Sequence, residues 1–179
     1  MTRERFRELY EANLDFVWRA LVRLGVRQAD LEDAAQEVFL VVFRQVATFE
    51  GRAKFTTWLF RICYHVAQDR RRRASHRYEV LGEGDLESRV DTRSSAEALV
   101  QQRENLALLE RALTTMSLEQ RAVFVMFELE EVTCEQIAMA LELPLGTVYS
   151  RLRRARQLFD RSLRAARAAD EHLWWREGA

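Results

Sequence analysis

The chain has 179 residues, no net formal charge and 48% hydrophobic residues, which suits one domain or two small ones with modest cores. Its two cysteines are too few for a disulfide framework, and no spacing of cysteine or histidine resembles a zinc site. We therefore expect a reducing, cytoplasmic setting and neither a metal nor another cofactor. The zero average hides segregated charge, because residues 52–77 and 145–167 are basic while 30–37, 83–91 and 128–135 are acidic. Two basic segments separated by acidic ones indicate two contacts with one polyanion.

The composition also predicts the fold class. Six glycines and one proline accompany abundant leucine, alanine, arginine and glutamate, which is typical of an all-α protein. The chain starts without an apolar secretion segment, and no uncharged run approaches the ~20 residues needed to span a bilayer. We expect no membrane insertion.

Two amphipathic helices open the chain, at residues 3–24, ended by Gly25, and at about 29–48. The second helix has one aliphatic core face and a second stripe that mixes carboxylates with aliphatic residues. Such a stripe suits a partner surface, although its aliphatic members would equally extend a wide core stripe, and the spacing leaves both readings open. The stripe consists of Asp33, Gln36, Glu37, Leu40, Val41 and Arg44.

A loop and a third helix follow, with aromatic residues among cations. The helix is predicted from about Phe55, with Phe55, Trp58, Leu59, Ile62 and Val66 inward and Arg61, Tyr64, His65, Gln68, Asp69 and Arg72 outward. Unpaired bases require this combination, since stacking contributes about 1 to 3 kcal/mol per base while cations hold the phosphates. Taken singly, Phe55 and Trp58 are better explained by core packing, so the functional hypothesis depends on the surrounding loop and arginines.

Periodicity is lost after this helix, which divides the chain into parts. We predict a first domain at 1–75, an acidic flexible linker at 76–95, a second helical domain at 96–168 and a tail at 169–179. Ser94 with Glu97 and Ser117 with Gln120 are predicted helix starts. The tail carries Trp174 and Trp175, to which we assign no function.

The second domain contains a helix-turn-helix pattern. Thr133 and Gln136 form a predicted capping box for one short helix, and Pro144 starts a second near Leu145. Val148, Leu152 and Ala155 should face inward, and Tyr149, Ser150, Arg153, Arg154 and Arg156 outward. A basic second helix after a short turn is typical of a reader of the DNA major groove, whereas the plainer alternative is two core helices with a solvated arginine face.

Three stretches in this order, Asp33–Phe39, Phe49–Ile62 and Gly146–Arg156, resemble the extracytoplasmic-function sigma factors, a class of sigma-70 type bacterial transcription initiation factors. The likeness extends over about residues 6–163, apart from the linker. It implies two helical domains, similar to sigma regions 2 and 4, that bind core RNA polymerase at its clamp helices and flap. It also implies promoter DNA and an anti-sigma factor as partners. In favour of a partner surface, it assigns polymerase binding to Asp33, Gln36, Glu37, Leu40, Val41 and Arg44.

The resemblance also implies how promoter DNA is divided between the domains. The first captures a flipped base of the melted −10 element and holds its neighbours, with Phe49, Arg52, Lys54, Phe55, Trp58, Arg61, His65, Asp69 and Arg72. The second reads the −35 duplex, with Tyr149, Ser150, Arg153 and Arg154 near base edges, Arg151 and Arg156 near phosphates, and Thr147 at the helix start.

Two positions depart from the family pattern. His65 stands where the family usually places asparagine, so the base read there is open. Glu142 stands where the turn commonly carries glycine, and a positive φ there would cost ~1 kcal/mol.

Two other functional classes compete with this interpretation. An enzyme would need a paired nucleophile and base, a glycine-rich phosphate loop or a metal-binding pair, and none of these is present in the sequence. A conventional helix-turn-helix regulator would bind duplex DNA tightly without polymerase, usually as a dimer.

Overall fold

The computed structural model describes the backbone of residues 2–51, 53–81 and 97–177, and the side chains of 2–51, 53–75 and 105–168. These residues form helices and turns without a strand, which confirms the predicted all-α fold. They form two helical modules: the first is built from residues 2–81 and the second from residues 97–177. The predicted linker at 76–95 lies largely outside the described residues, and Ser94 with it.

The first module contains three mutually packed helices: α1 (Arg3–Leu24), α2 (Leu31–Gln45) and α3 (Phe55–Leu81). Helix α1 ends as predicted at Gly25, which has φ 85° and donates its N–H to the carbonyls of Leu21 and Val22. The helix predicted at 29–48 is α-helical over Leu31–Gln45 and has a 3₁₀ turn at each end, at Gln28–Asp30 and Val46–Thr48. Helix α3 passes the predicted domain boundary at residue 75 and continues to Leu81.

Helix α3 buries three of the five residues predicted to face inward, and it also buries others that the prediction did not include. Leu59, Ile62 and Val66 are buried, while Phe55 and Trp58 are half-buried. Tyr64, predicted to face outward, is only 6% exposed. That prediction is wrong because the second module lies beside this face of α3: burial raises the pKa of Tyr64, and the nearby Glu119 carboxylate raises it further.

The second module contains α4 (Glu97–Thr114), α5 (Leu118–Phe124), α6 (Cys134–Ala140) and α7 (Leu145–Glu177), with a π-helical turn at Val125–Leu129 after α5. The predicted capping boxes of α5 and α6 are both formed. Helix α7 continues through the predicted tail to Glu177, although the side chains of Trp174 and Trp175 lie outside the description.

The two modules pack against each other, a relationship the sequence does not predict. Helix α1 contacts α4 and α5, and α3 contacts α6, so that buried apolar residues of both modules form one continuous cluster. Arg121 reinforces this junction: a Cβ placed on Gly25 would lie 1.9 Å from its Nη1. In the described helices, no stretch combines the length and the apolar character that crossing a membrane requires.

Candidate nucleic-acid interface

We call the predicted polymerase-binding residues of α2 the docking stripe: Asp33, Gln36, Glu37, Leu40, Val41 and Arg44. Asp33, Gln36 and Arg44 are exposed, and Leu40 is 56% exposed although it is a large aliphatic residue. Val41 is half-buried and packs against the core. The structure therefore separates the two aliphatic members, with Leu40 on the surface and Val41 on the core side.

Glu37 differs from the exposed members of the docking stripe because its carboxylate forms ion pairs inside the first module. Its carboxylate accepts from Nε of Arg70 at 3.1 Å and from Nη1 of Arg73 at 3.4 Å. Arg70 also donates to the carbonyl of Asp30 at 3.4 Å. Glu37 thus ties α2 to the arginine-rich part of α3, a structural role that any partner contact would have to share.

One residue on this surface escaped the sequence interpretation. Phe43 is 51% exposed and lies one helical turn from Leu40 on α2, where its ring meets that of Phe6 edge-on with centroids 5.1 Å apart. The spacing of three after Leu40 was a signal for it.

The aromatic residues predicted to receive an unpaired base form one cluster, the aromatic pocket, made of Phe49, Phe55 and Trp58. Each pair of rings has centroids 5.4 Å apart. All three side chains are half-buried, so each packs on its neighbours and still presents part of its ring to solvent. Such a cluster holds its shape without a ligand and offers an aromatic surface for stacking.

Cations and polar groups predicted to accompany the aromatic pocket lie along α3. Lys54 is exposed just before the helix, and its carbonyl accepts from the amides of Thr57 and Trp58. Asp69 and Arg72 are exposed, and Oδ1 of Asp69 lies 3.9 Å from Nη1 of Arg72. Arg52 lies outside the described residues.

Arg61 and His65 sit one turn apart on α3 and are directed toward the second module. Nε of Arg61 donates to Nε2 of His65 at 3.4 Å, and Nη2 of Arg61 donates to the carboxylate of Glu142. Burial lowers the pKa of His65 and the Arg61 cation lowers it further, while Glu142 and Asp69 oppose the shift. The imidazole is therefore held neutral at neutral pH, where it both donates and accepts.

The helix-turn-helix is formed by α6, the turn at residues 141–144, and α7. Glu142 has φ 54°, the left-handed conformation expected at this position, and the amide of Leu143 donates to the carbonyl of Ala138 at 2.9 Å. Helix α7 then starts with the amides of Thr147 and Val148 bonded to the carbonyl of Pro144. The predicted inward residues Val148, Leu152 and Ala155 are buried.

The opposite side of α7 carries the reading face, which we define as Tyr149, Ser150, Arg153 and Arg154. All four side chains are exposed, as predicted. The Tyr149 hydroxyl donates to the Glu135 carboxylate at 3.3 Å, and the Ser150 hydroxyl donates to the Thr147 carbonyl at 2.9 Å. The Glu135 charge raises the pKa of Tyr149. The reading face therefore presents hydroxyl groups and cations to solvent on one exposed side of α7.

The two arginines predicted nearer to phosphates have contacts within the protein. Nε of Arg156 donates to the Glu128 carboxylate at 2.6 Å, and its guanidinium lies 4.9 Å from the centre of the Phe127 ring. Arg151 is half-buried and close enough to influence Tyr64 and Glu119. These contacts fix α7 in the module and place Arg156 at the rim of the reading face.

Comparison with known proteins matches these two modules. A family model of sigma-70 region 2 matches residues 9–77, and one of sigma-70 region 4 matches residues 106–159. The ECF RNA polymerase sigma-E factor of Escherichia coli is 32% identical over 149 residues, which is 79% of this chain and 78% of that protein. The chain belongs to the extracytoplasmic-function sigma factors.

This sigma factor is also similar to ECF RNA polymerase sigma factor SigE of Mycolicibacterium smegmatis, with 36% identity over 151 residues. That alignment takes in 84% of this chain but only 58% of the relative. Among solved structures, the sigma factor RpoE in complex with the anti-sigma factor NepR from Bartonella quintana has TM-score 0.76 at 20% identity, over 90% of this chain and 98% of that one. CnrH in complex with the cytosolic domain of CnrY has TM-score 0.63 at 21% identity, over 92% and 90% of the two chains.

Region 2 of this sigma factor contains the docking stripe and the aromatic pocket, whereas region 4 contains the reading face. The Arg61 and Glu142 contact joins the two regions.

Proposed function

We propose that this sigma factor binds core RNA polymerase and directs initiation at promoters with −35 and −10 elements. The observation that carries the proposal is the presence, in one chain, of a half-exposed aromatic pocket and an exposed helix-turn-helix reading face on separate modules. Unpaired bases need the first and duplex DNA needs the second. Initiation takes place in the cytoplasm, where this chain binds the polymerase and the promoter and positions one on the other.

We assign binding of the polymerase clamp helices to the docking stripe together with Phe43. We assign binding of the polymerase flap to the second module. Leu40 and Phe43 are the exposed large apolar residues of α2, and the acidic Asp33 lies on the same helix. Aliphatic and aromatic residues provide most of the affinity of such interfaces, while surrounding charges set orientation. We therefore expect Leu40 and Phe43 to contribute more than the charged members.

The −10 element is assigned to the aromatic pocket and the polar groups of α3. A base extruded from the duplex loses a few kcal/mol of stacking and pairing. Stacking on an aromatic ring returns about 1 to 3 kcal/mol, so Phe49, Phe55 and Trp58 stabilise the melted strand. Arg52, Lys54, Arg61 and Arg72 hold the phosphates, and neutral His65 with Asp69 offers hydrogen bonds to a neighbouring base.

The −35 element is assigned to the reading face. An arginine paired with guanine contributes ~1 to 3 kcal/mol of discrimination, and Arg153 and Arg154 have the exposure that this pairing needs. Arg151, Arg156 and the start of α7 at Thr147 provide phosphate contacts, which set register and salt dependence. The Tyr149 hydroxyl exchanges its bond to Glu135 for a base or a water.

An anti-sigma factor completes the proposed partners. Of the solved neighbours, RpoE was crystallised with the anti-sigma factor NepR, and the structure of CnrH contains the cytosolic domain of CnrY. The exposed apolar residues Leu40 and Phe43 provide a surface that a protein of this kind would cover to prevent polymerase binding.

Run-off transcription with purified core polymerase tests the proposal. Core polymerase and this chain together should produce discrete transcripts from a genomic promoter library, while either component alone should not. The conventional regulator predicts the reverse: tight duplex binding by the isolated chain and no transcript gained on addition to core polymerase. Failure across the library would reject the sigma factor proposal.

A further inference from the structure

Glu142 of the helix-turn-helix turn reaches across the junction and accepts a hydrogen bond from Nη2 of Arg61 on α3. Arg61 is assigned to the −10 strand, and it also bonds His65. A carboxylate is a two-oxygen anion of the kind that an arginine binds in place of a phosphate. In the described structure, the Glu142 carboxylate therefore occupies the arginine that is proposed to bind a DNA phosphate.

We propose that Glu142 is an autoinhibitory contact that competes with the melted −10 strand for Arg61. This inference rests on the proposed function, since it needs the −10 role of α3. In the isolated chain the second module covers this part of α3, and the contact must open before a strand can follow the helix. We call the arrangement in which the two modules pack against each other the closed arrangement. The reading face, in contrast, stays exposed in it.

Promoter geometry shows why the closed arrangement differs from the initiating one. The −10 and −35 elements are about 25 base pairs apart, as their names state, which is ~85 Å along straight duplex at 3.4 Å per base pair. In the closed chain, Arg61 of the −10 helix and Glu142 of the −35 module are hydrogen-bonded. Both elements cannot be engaged while this contact persists, so its opening accompanies promoter binding.

Three further interactions between the modules maintain the closed arrangement. Arg23 of α1 pairs with Glu130 at 2.8 Å, and Arg121 packs against Gly25. Tyr64 is buried near Glu119 of the second module. These contacts hold Glu142 close to Arg61, so a modest pair gains effect from a high local concentration.

The test compares Glu142→Gln with Glu131→Gln. The two glutamates have the same φ of 54° and belong to the same module, and each substitution removes one negative charge. Glu142 is the one whose carboxylate accepts a hydrogen bond from Arg61. The first readout is the affinity for a fluorescent single-stranded DNA of about twelve nucleotides and random sequence, a length within the usual site size. The second is the distance between labels on Glu32→Cys and Asp160→Cys, two exposed positions on different modules.

Glu142→Gln should raise the affinity for the single strand about 1.4- to 5-fold, the range expected for an exposed ion pair, and broaden the label distances toward longer values. Glu131→Gln should give a smaller gain and leave the distances unchanged. In an Arg61→Ala background, which weakens strand binding by itself, Glu142→Gln should give no further gain.

Equal gains from the two glutamate variants, or a gain from Glu142→Gln that persists without Arg61, would overturn the inference in favour of general charge repulsion. Unchanged affinity with Glu142→Gln would overturn it as well. Failure of the proposed function is recognised separately, because run-off transcription would then be absent for the wild type, whereas failure of the autoinhibitory contact leaves wild-type transcription intact.

Discussion

Nη1 of Arg23 donates to Oε1 of Glu130 at 2.8 Å, and this ion pair joins α1 of the first module to the end of the π-helical turn in the second. The two side chains are 22% and 24% exposed, whereas those of Arg61 and Glu142 are 36% and 72% exposed. Solvent screens the second pair more strongly. The Arg23 pair is therefore the anchor between the modules, and the Glu142 contact is the one that opens more readily.

A double-mutant cycle measures that anchor. Arg23→Ala, Glu130→Ala and the double variant should show a coupling of about 1 kcal/mol in urea unfolding, because the pair is partly shielded from water. Arg7 and Glu11 provide the control, since they have the same 2.8 Å separation but side chains 77% and 61% exposed within one helix. A coupling for Arg23 and Glu130 no larger than that of the control pair would contradict the anchor role.

Gly25 is expected to be sensitive to a methyl group. Gly25→Ala meets a positive φ of 85°, which costs ~1 kcal/mol, and a Cβ there also displaces the Arg121 guanidinium. Gly51→Ala is the matched control, with φ 70° and nothing within 4 Å of its Cβ. Thermal unfolding should show the larger loss for Gly25→Ala, and equal losses would mean that Arg121 moves aside without cost.

Polymerase docking should depend on the exposed apolar residues of α2. Leu40→Asp with Phe43→Asp should weaken retention on immobilised core polymerase about 10-fold or more, because buried anchors of this type dominate interface energy. The far-UV circular dichroism should be unchanged, since both side chains are mainly in solvent. Leu106→Asp, which alters a leucine 49% exposed in the second module, is the control. Undiminished retention would show that the docking surface is elsewhere.

Strand melting should depend on Trp58. Trp58→Ala removes one ring of the aromatic pocket and should reduce open-complex formation about 5- to 160-fold, the equivalent of ~1 to 3 kcal/mol of base stacking, with less effect on closed-complex binding. Permanganate footprinting reports the open complex. Trp18→Ala in α1 is the control, because Trp18 is 36% exposed and lies outside the pocket. Thermal unfolding of both variants separates loss of stacking from loss of packing.

His65 should titrate below its usual value of about 6.5. Partial burial and the Arg61 cation lower its pKa, so in the window just below 6.5 the unfolded chain binds more protons than the folded one. The stability contribution of neutral His65 is therefore present above pH 6.5 and is lost as the pH falls toward the folded pKa. Nuclear magnetic resonance of the imidazole protons, assigned with His65→Gln, measures the midpoint. A midpoint at or above 6.5 would contradict the closed junction around this residue.

Much of the local structure was predictable, because its determinants are close together in sequence. Thr133 with Gln136 and Ser117 with Gln120 form their capping boxes through contacts three residues apart. The positive φ of Glu142 was expected from the resemblance to the family, whose turn commonly carries glycine at this position. The burial of Val148, Leu152 and Ala155 follows from helical periodicity, and so does the exposure of the reading face.

Other properties escaped the sequence because distant residues decide them. Tyr64 was placed outward from the periodicity of α3, but residues more than fifty positions later cover it. Glu37 was assigned to a partner surface, although Arg70 and Arg73 hold it within the module. The edge-on contact of Phe43 with Phe6 depends on how α1 packs beside α2.

The amino-acid sequence by itself predicted where most of the helices lie, the termini at Gly25, Ser117 and Thr133, and most of the inward-facing residues, since these depend on propensity and spacing along the chain. Only the tertiary structure decided that the modules close on each other through Arg23 with Glu130 and Arg61 with Glu142. The reason is that an ion pair across 107 or 81 positions leaves no periodic trace, because its geometry is set by the packing of every helix between its partners.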